Sequence, residues 1–188
     1  MKNIIIWGAL RSGKSTLAKR INKEFGHHWI EVDPLRNIYD FLNPANPILG
    51  LSLPSEEQAK AIAPMLKMYM DRLVGKHQQT FYVFEGVALD MPRLMKYLDT
   101  DKYTVICMGW SLPREDKFKQ IKRYETKYDW TSRRTDDELR QEIQEGINTC
   151  ELVKQFAKKN GLPYFDTSEN REQVLDEIMK SLYGIFVP

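Results

Sequence analysis

The chain has 188 residues, 29% of them charged, and a formal net charge of +2. That length suits one domain with a sizeable core, and the near-neutral balance leaves no electrostatic footprint for nucleic acid or an anionic membrane. The longest apolar run, at the N-terminus, breaks at Gly8, far short of the ~20 residues that cross a bilayer, so neither a span nor a signal peptide is expected.

Residues 3–7 read as a first strand, and residues 14–25 as the helix that follows. Between and into them runs Gly8-Ala9-Leu10-Arg11-Ser12-Gly13-Lys14-Ser15-Thr16, the pattern G-x-x-x-x-G-K-[ST] in its strand–turn–helix context. Glycine at both ends lets the backbone wrap a phosphate chain, with successive N–H groups and the helix N-terminus turned toward the anion. Lys14 would reach the β- and γ-phosphates and Ser15 would ligate Mg²⁺, which makes ATP and Mg²⁺ the expected cofactors. Without a ligand, Lys14 is expected to face solvent.

Residues 29–33 form a second strand, ended by Pro34 so that Asp33 stands at its carboxyl end. A short helix over 35–42 is broken by Asn43, Pro44 and Pro47, and Ser55-Glu56-Glu57-Gln58 reads as a capping box. Ala59, Ile62, Leu66, Tyr69 and Leu73 share one helical face, with Met65 and Met70 beside it, which reads as core packing; Pro64 predicts a kink. Strand three covers 80–84 and ends in Glu85-Gly86. A helix over 91–98, a strand over 103–108 closed by Gly109, a charged helical stretch over 113–160 broken at 129–132, a strand over 163–166 and a helix over 170–183 complete the chain. Cys107 and Cys150 fall in a strand and a helix, as reduced, buried side chains of a cytoplasmic protein. Alternation of strand and helix predicts a three-layer α/β/α fold with a five-stranded parallel sheet.

In such a sheet all strand carboxyl ends share one rim, where ligands bind. There the glycine loop meets Asp33, Glu85 and Gly86. Asp33 can serve as base or acceptor ligand; Glu85 can contact metal-bound water or the acceptor. Most of the lysines and arginines over 117–134 can pair with Glu125, Asp136, Asp137, Glu138 and Glu142. Arg133 and Arg134 follow the irregular break, and one of the two suits a phosphate clamp on a closing lid. Few apolar anchors are expected in that lid.

These motifs resemble the adenylate-kinase-like group of small P-loop kinases, which includes nucleotide, shikimate and gluconate kinases. Asp33-Pro34-Leu35-Arg36 resembles that group's acidic-x-x-Arg element, whose arginine grips the acceptor's phosphate or carboxylate. Arg134-Thr135-Asp136-Asp137 is similar to the stretch behind the lid, whose arginine touches the transferred phosphate. Tyr164-Phe165-Asp166-Thr167-Ser168 resembles the border of the adenine site. Glu85-Gly86-Val87-Ala88-Leu89 departs from the Asp-Gly-Phe-Pro-Arg of nucleotide kinases, which weakens the case for a nucleotide monophosphate and leaves a nucleoside, a nucleotide, a sugar acid or a similar hydroxylated metabolite as the acceptors the resemblance implies. The resemblance implies transfer of the γ-phosphate of ATP to a small-molecule acceptor, with no nucleic-acid or membrane partner, by a monomer or homodimer of one domain whose lid lies within 113–160. The competing expectation is a nucleotide-binding regulator or slow hydrolase without an acceptor. No readable code for the acceptor stands in residues 43–76.

Overall fold

Isoleucines at 4, 5 and 6, followed by Trp7, can be buried at every position only if both faces of their strand are covered. A computed structural model of the chain, describing residues 1–48, 55–75, 79–99 and 101–186, has them so. The strands are β1 (Asn3–Gly8), β2 (His28–Glu31), β3 (Tyr82–Gly86), β4 (Tyr103–Gly109) and β5 (Tyr164–Asp166). They form one parallel sheet in the order β2-β3-β1-β4-β5, with β1 at its centre.

The helices are α1 (Lys14–Phe25), α2 (Leu35–Leu42), α3 (Ser55–Leu73), α4 (Met91–Leu94), α5 (Arg114–Tyr124), α6 (Asp136–Asn160) and α7 (Arg171–Phe186). Side-chain alternation along β1 divides the core in two. Ile4 and Ile6 pack with Leu17 and Ile21 of α1 and Leu175 and Ile178 of α7. Ile5 and Trp7 pack with Ile62, Leu66 and Met70 of α3 and Val153 and Ala157 of α6. Helices therefore cover both faces, and the three-layer α/β/α architecture stands. None of the described helices is long and apolar enough to cross a membrane.

Several boundaries differ from the sequence expectation, each for a tertiary reason. β2 stops at Glu31, so Asp33 lies in the following turn, although Val32 N–H still donates to Glu85 O at 2.9 Å. β3 begins at Tyr82 and takes in Glu85 and Gly86, because its ladder with β1 continues through Ile6↔Glu85 and Trp7↔Gly86. α4 is a single turn, capped by Asp90. α3 runs on through Pro64, and its buried face is Ala59, Ile62, Ala63, Leu66 and Met70, while Tyr69 is exposed. Its expected capping box turns on the Ser55 side chain, which lies outside the described residues. α7 reaches Phe186, whose ring packs on Phe25 and His27 at 5.4 Å from each.

Candidate functional site

The glycine loop leaves the central strand at Gly8, which pairs with Met108 of β4. A Cβ on Gly8 would stand 2.1 Å from Met108 O, so only glycine admits that pairing. Gly13 has φ 93 and Arg11 φ 54, the left-handed turns that reverse the chain into α1. Holding Arg11 there costs about 1–3 kcal/mol, so the loop is over-determined by its surroundings. Among the described residues, no acceptor is found for the backbone N–H groups of residues 10–16. Seven donors without protein acceptors, at a helix N-terminus, are the groups an anion would need there.

Lys14 does not face solvent. It is 6% exposed, and its Nζ donates to Ala9 O at 2.8 Å, beside Ser12 Oγ, which donates to the same carbonyl at 2.9 Å. The side chain therefore folds back onto the backbone carbonyl that opens the loop. Burial pulls its pKa down, and the carboxylates of Asp33 and Glu85 pull it back up. The lysine is thus a charge held under tension between desolvation and two acids from separate strand ends.

Glu85 is 2% exposed, and burial raises its pKa against the pull of Lys14 and Ser15. Its Oε1 accepts from Ser15 Oγ at 3.0 Å and Trp29 Nε1 at 3.3 Å. Asp33 Oδ1 accepts from Ala88 N–H at 2.9 Å, and a Cβ on Gly86 would lie 2.8 Å from that oxygen. Gly86 is therefore the vacancy that lets Asp33 reach across from the neighbouring strand. Arg36 donates from Nε to Asp33 O at 3.3 Å and from Nη1 to Gln58 Oε1 at 3.0 Å.

Two further side chains brace the loop. Trp110 Nε1 donates to Leu10 O at 2.8 Å. Lys117 Nζ donates to Arg11 O at 3.2 Å and to Gln120 Oε1 at 2.8 Å, and sits 4.8 Å from the Trp110 ring centroid. Lys117 is 2% exposed, and burial pulls its pKa down to about 8.

No protein-family model matches the chain, and no curated protein matches it. Among solved structures it is similar to a gluconokinase from Sinorhizobium meliloti 1021, at 16% identity and a TM-score of 0.57, over 98% of this chain and 97% of that one. A shikimate kinase from Bacteroides thetaiotaomicron is similar at 16% identity and a TM-score of 0.55, over 96% and 98%. The chain has the P-loop kinase fold.

On this kinase fold the break between α5 and α6 is a 3-10 turn, Trp130–Arg133, and it is better anchored than the sequence suggested. Asp129 Oδ1 accepts from Arg11 Nη1 at 2.9 Å, tying the break to the glycine loop. The Thr126 N–H and Arg11 hold the Asp129 carboxyl down at about 2. Arg134 donates from Nε to Glu142 Oε1 at 2.8 Å and its guanidinium lies 5.9 Å from the Trp130 ring centroid, so these contacts stay within this segment. Arg133 is exposed, with no ion pair among the described residues. Lys122 pairs with Glu125 and Asp136, and Arg134 with Glu142, as the sequence reading expected, but among the described residues most of the run's other cations do not pair with the acids it named.

The structure thus brings Lys14, Ser15, Asp33, Glu85 and Gly86 together and leaves Arg134 apart. Sequence reasoning missed Lys117, Trp110 and Asp129. Lys117 is the one lysine spaced four residues from the buried Ile121 on the α5 face that packs inward, and that spacing was the available signal. A divalent cation fits the hydroxyl and carboxylate oxygens of Ser15 and Glu85, which are hard donors, few in number, as Mg²⁺ prefers when phosphates complete its shell. No cluster of three or more His, Cys, Asp or Glu able to hold a metal by itself occurs among the described residues.

Proposed function

We propose that this protein is an ATP-dependent phosphotransferase that moves the γ-phosphoryl group to a hydroxyl of a small-molecule acceptor. The observation that carries this reading is the buried Lys14 ammonium, held at the glycine loop and balanced by Asp33 and Glu85. Both hydrolysis and transfer need bound phosphates, a cation and a group that orients or deprotonates the nucleophile, and a carboxylate beside the lysine suits an acceptor hydroxyl.

Residues 8–16 bind the phosphate chain, and Lys14 turns from Ala9 O to the β/γ-phosphates. Ser15 and Glu85 hold Mg²⁺, which supplies charge neutralisation at the phosphates. Asp33 takes the hydroxyl proton as the acceptor oxygen forms its bond to phosphorus and the bond from phosphorus to the ADP oxygen breaks. Gly86 leaves room for Asp33, and Arg36 fixes the Asp33 turn against α3. Arg134 leaves Glu142 to meet the transferred phosphate when the 113–160 segment closes. The adenine lies beside β5, where Ser111, Asp166, Ser168 and Asn170 line a cavity of about 350 Å³.

The test is ADP release by the purified chain with ATP and Mg²⁺, with and without a panel of hydroxylated metabolites. Acceptor-stimulated release with a phosphorylated product is expected. Release that no acceptor changes would leave a hydrolase or a regulator instead.

A further inference from the structure

A cavity of about 230 Å³ opens between α3, α6 and the segment after β3, with Trp7 in its wall. It adjoins the rim already described: Trp7 immediately precedes Gly8, Val87 follows Gly86, and Ala88 is the donor to Asp33. Its apolar lining comes from Ala59, Val87, Leu89 and Leu152.

Two buried polar atoms belong to side chains of this wall, and neither makes a hydrogen bond among the described residues. Trp7 is 2% exposed, its ring fixed edge-on by Phe156 at 5.3 Å, and its Nε1 finds no acceptor among the described residues. Asp90 is 6% exposed; its Oδ1 accepts from Arg93 N–H, whereas its Oδ2 accepts no hydrogen bond and has only the Arg93 Nε ion pair at 3.3 Å. A buried indole N–H left without an acceptor costs stability that a ligand oxygen recovers, and the Asp90 Oδ2, which has an ion pair but no hydrogen bond, can still accept one.

The charges in the wall are of one sign. Glu56, Asp90 and Glu145 line the cavity, and no lysine or arginine does so among the described residues. Lys60 balances Glu56 and Arg93 balances Asp90, but Glu145 has no ion pair among the described residues. Arg36, the cation that the sequence offered for gripping an acid, is held by oxygens of Asp33 and Gln58 and is not in this wall. A carboxylate or phosphate placed here would meet the carboxylates that line the wall, while the cations beside it, Lys60 and Arg93, are already paired with two of them, so its desolvation would be poorly compensated.

We infer that this cavity is the acceptor site and that it selects a hydroxylated amine, with the ammonium at Asp90 and Glu145 and a hydroxyl oxygen accepting from Trp7 Nε1. The catalytic part of this inference rests on the phosphotransferase reading; the binding part does not. Binding is measured by calorimetry on the full chain, with Mg²⁺ and a non-hydrolysable ATP analogue, for ethanolamine, glucosamine and kanamycin against glycolate, gluconate and AMP. Amines are expected to bind and the acids to bind at least about tenfold more weakly, the loss of one charged hydrogen bond. Asp90→Asn keeps the cap of α4 and should raise the Kd of the bound amine about tenfold. Glu145→Gln, on an exposed helix position, should do the same, and Glu145→Lys should move preference toward the acids.

Acids binding more tightly than amines, or no amine binding, would overturn the inference. Product analysis on parallel samples, with ATP in place of the analogue, separates the two readings. Phosphorylated gluconate or AMP would sink the amine class and keep the kinase. Amine binding without transfer, ATP being present, would keep the amine site and sink the kinase.

Discussion

Lys14 is legible in the sequence as a phosphate ligand because its chemistry is local: a glycine turn, a lysine and a helix start suffice. Its burial is not, because it depends on a stem folding back onto Ala9 O and on acids from two other strands. The difference changes what a substitution does. Lys14→Met keeps the stem but leaves Asp33 and Glu85 without their cation, so it should cut turnover by about 10²–10³-fold, the cost of one transition-state donor, and also lower the thermal midpoint. Turnover assayed beside calorimetric melting checks both; near wild-type transfer would refute the donor-site assignment. Asp33→Asn retains an oxygen for the Ala88 N–H and removes the base. It should reduce kcat by about 10²–10⁴-fold while ATP binding holds. Loss of ATP binding instead would move Asp33 to the metal site.

The segment between α5 and α6 illustrates why elements were read less completely than motifs. Its charge run reads as a solvated face, and much of it is one, yet Lys117 and Asp129 in the same run reach the glycine loop. Periodicity locates helices; it does not say which of several lysines turns inward. β3 extended for a similar reason, since its end is set by pairing with β1 and not by its own residues. The Arg11–Asp129 pair holds this segment against the glycine loop before any nucleotide is present. An incoming phosphate competes for Arg11, so the segment should exchange its anchor on binding. Hydrogen exchange over residues 117–140 is expected to slow only when ATP analogue and acceptor are both bound, and Asp129→Asn should speed it in the free protein. Arg134→Lys keeps charge but loses the planar fork, and should slow transfer more than Arg133→Lys does. Equal small effects, with exchange indifferent to ligands, would reduce the segment to an ordinary helix connection.

At the scale of the whole molecule, the sheet order and both cores follow from β1, and the helices that cover it carry the site's supports. α5 does so through a lysine removed from water, and that makes global stability depend on pH in a defined direction. Lys117 titrates at about 8 in the folded chain and at 10.5 in its ordinary state. Between those values the unfolded chain binds more protons than the folded one, so the free energy of unfolding rises with pH. Below about pH 8 the folded protein bears the full penalty of a buried ammonium; above about 10.5 it bears none. At 1.36 kcal/mol per pH unit the gain is at most about 3 kcal/mol. The hydrogen bond to Arg11 O and the Trp110 face offset part of what burial costs the charged form. The contribution is read as a difference between the wild type and a variant that lacks only this group. Denaturant unfolding of wild type and Lys117→Met, from pH 7 to pH 10, should give curves that converge as pH rises, the variant being favoured at the neutral end wherever its methionine fills the same space. Parallel curves would mean that Lys117 keeps its proton at its ordinary pKa, and that the brace between α5 and the glycine loop is a solvated contact.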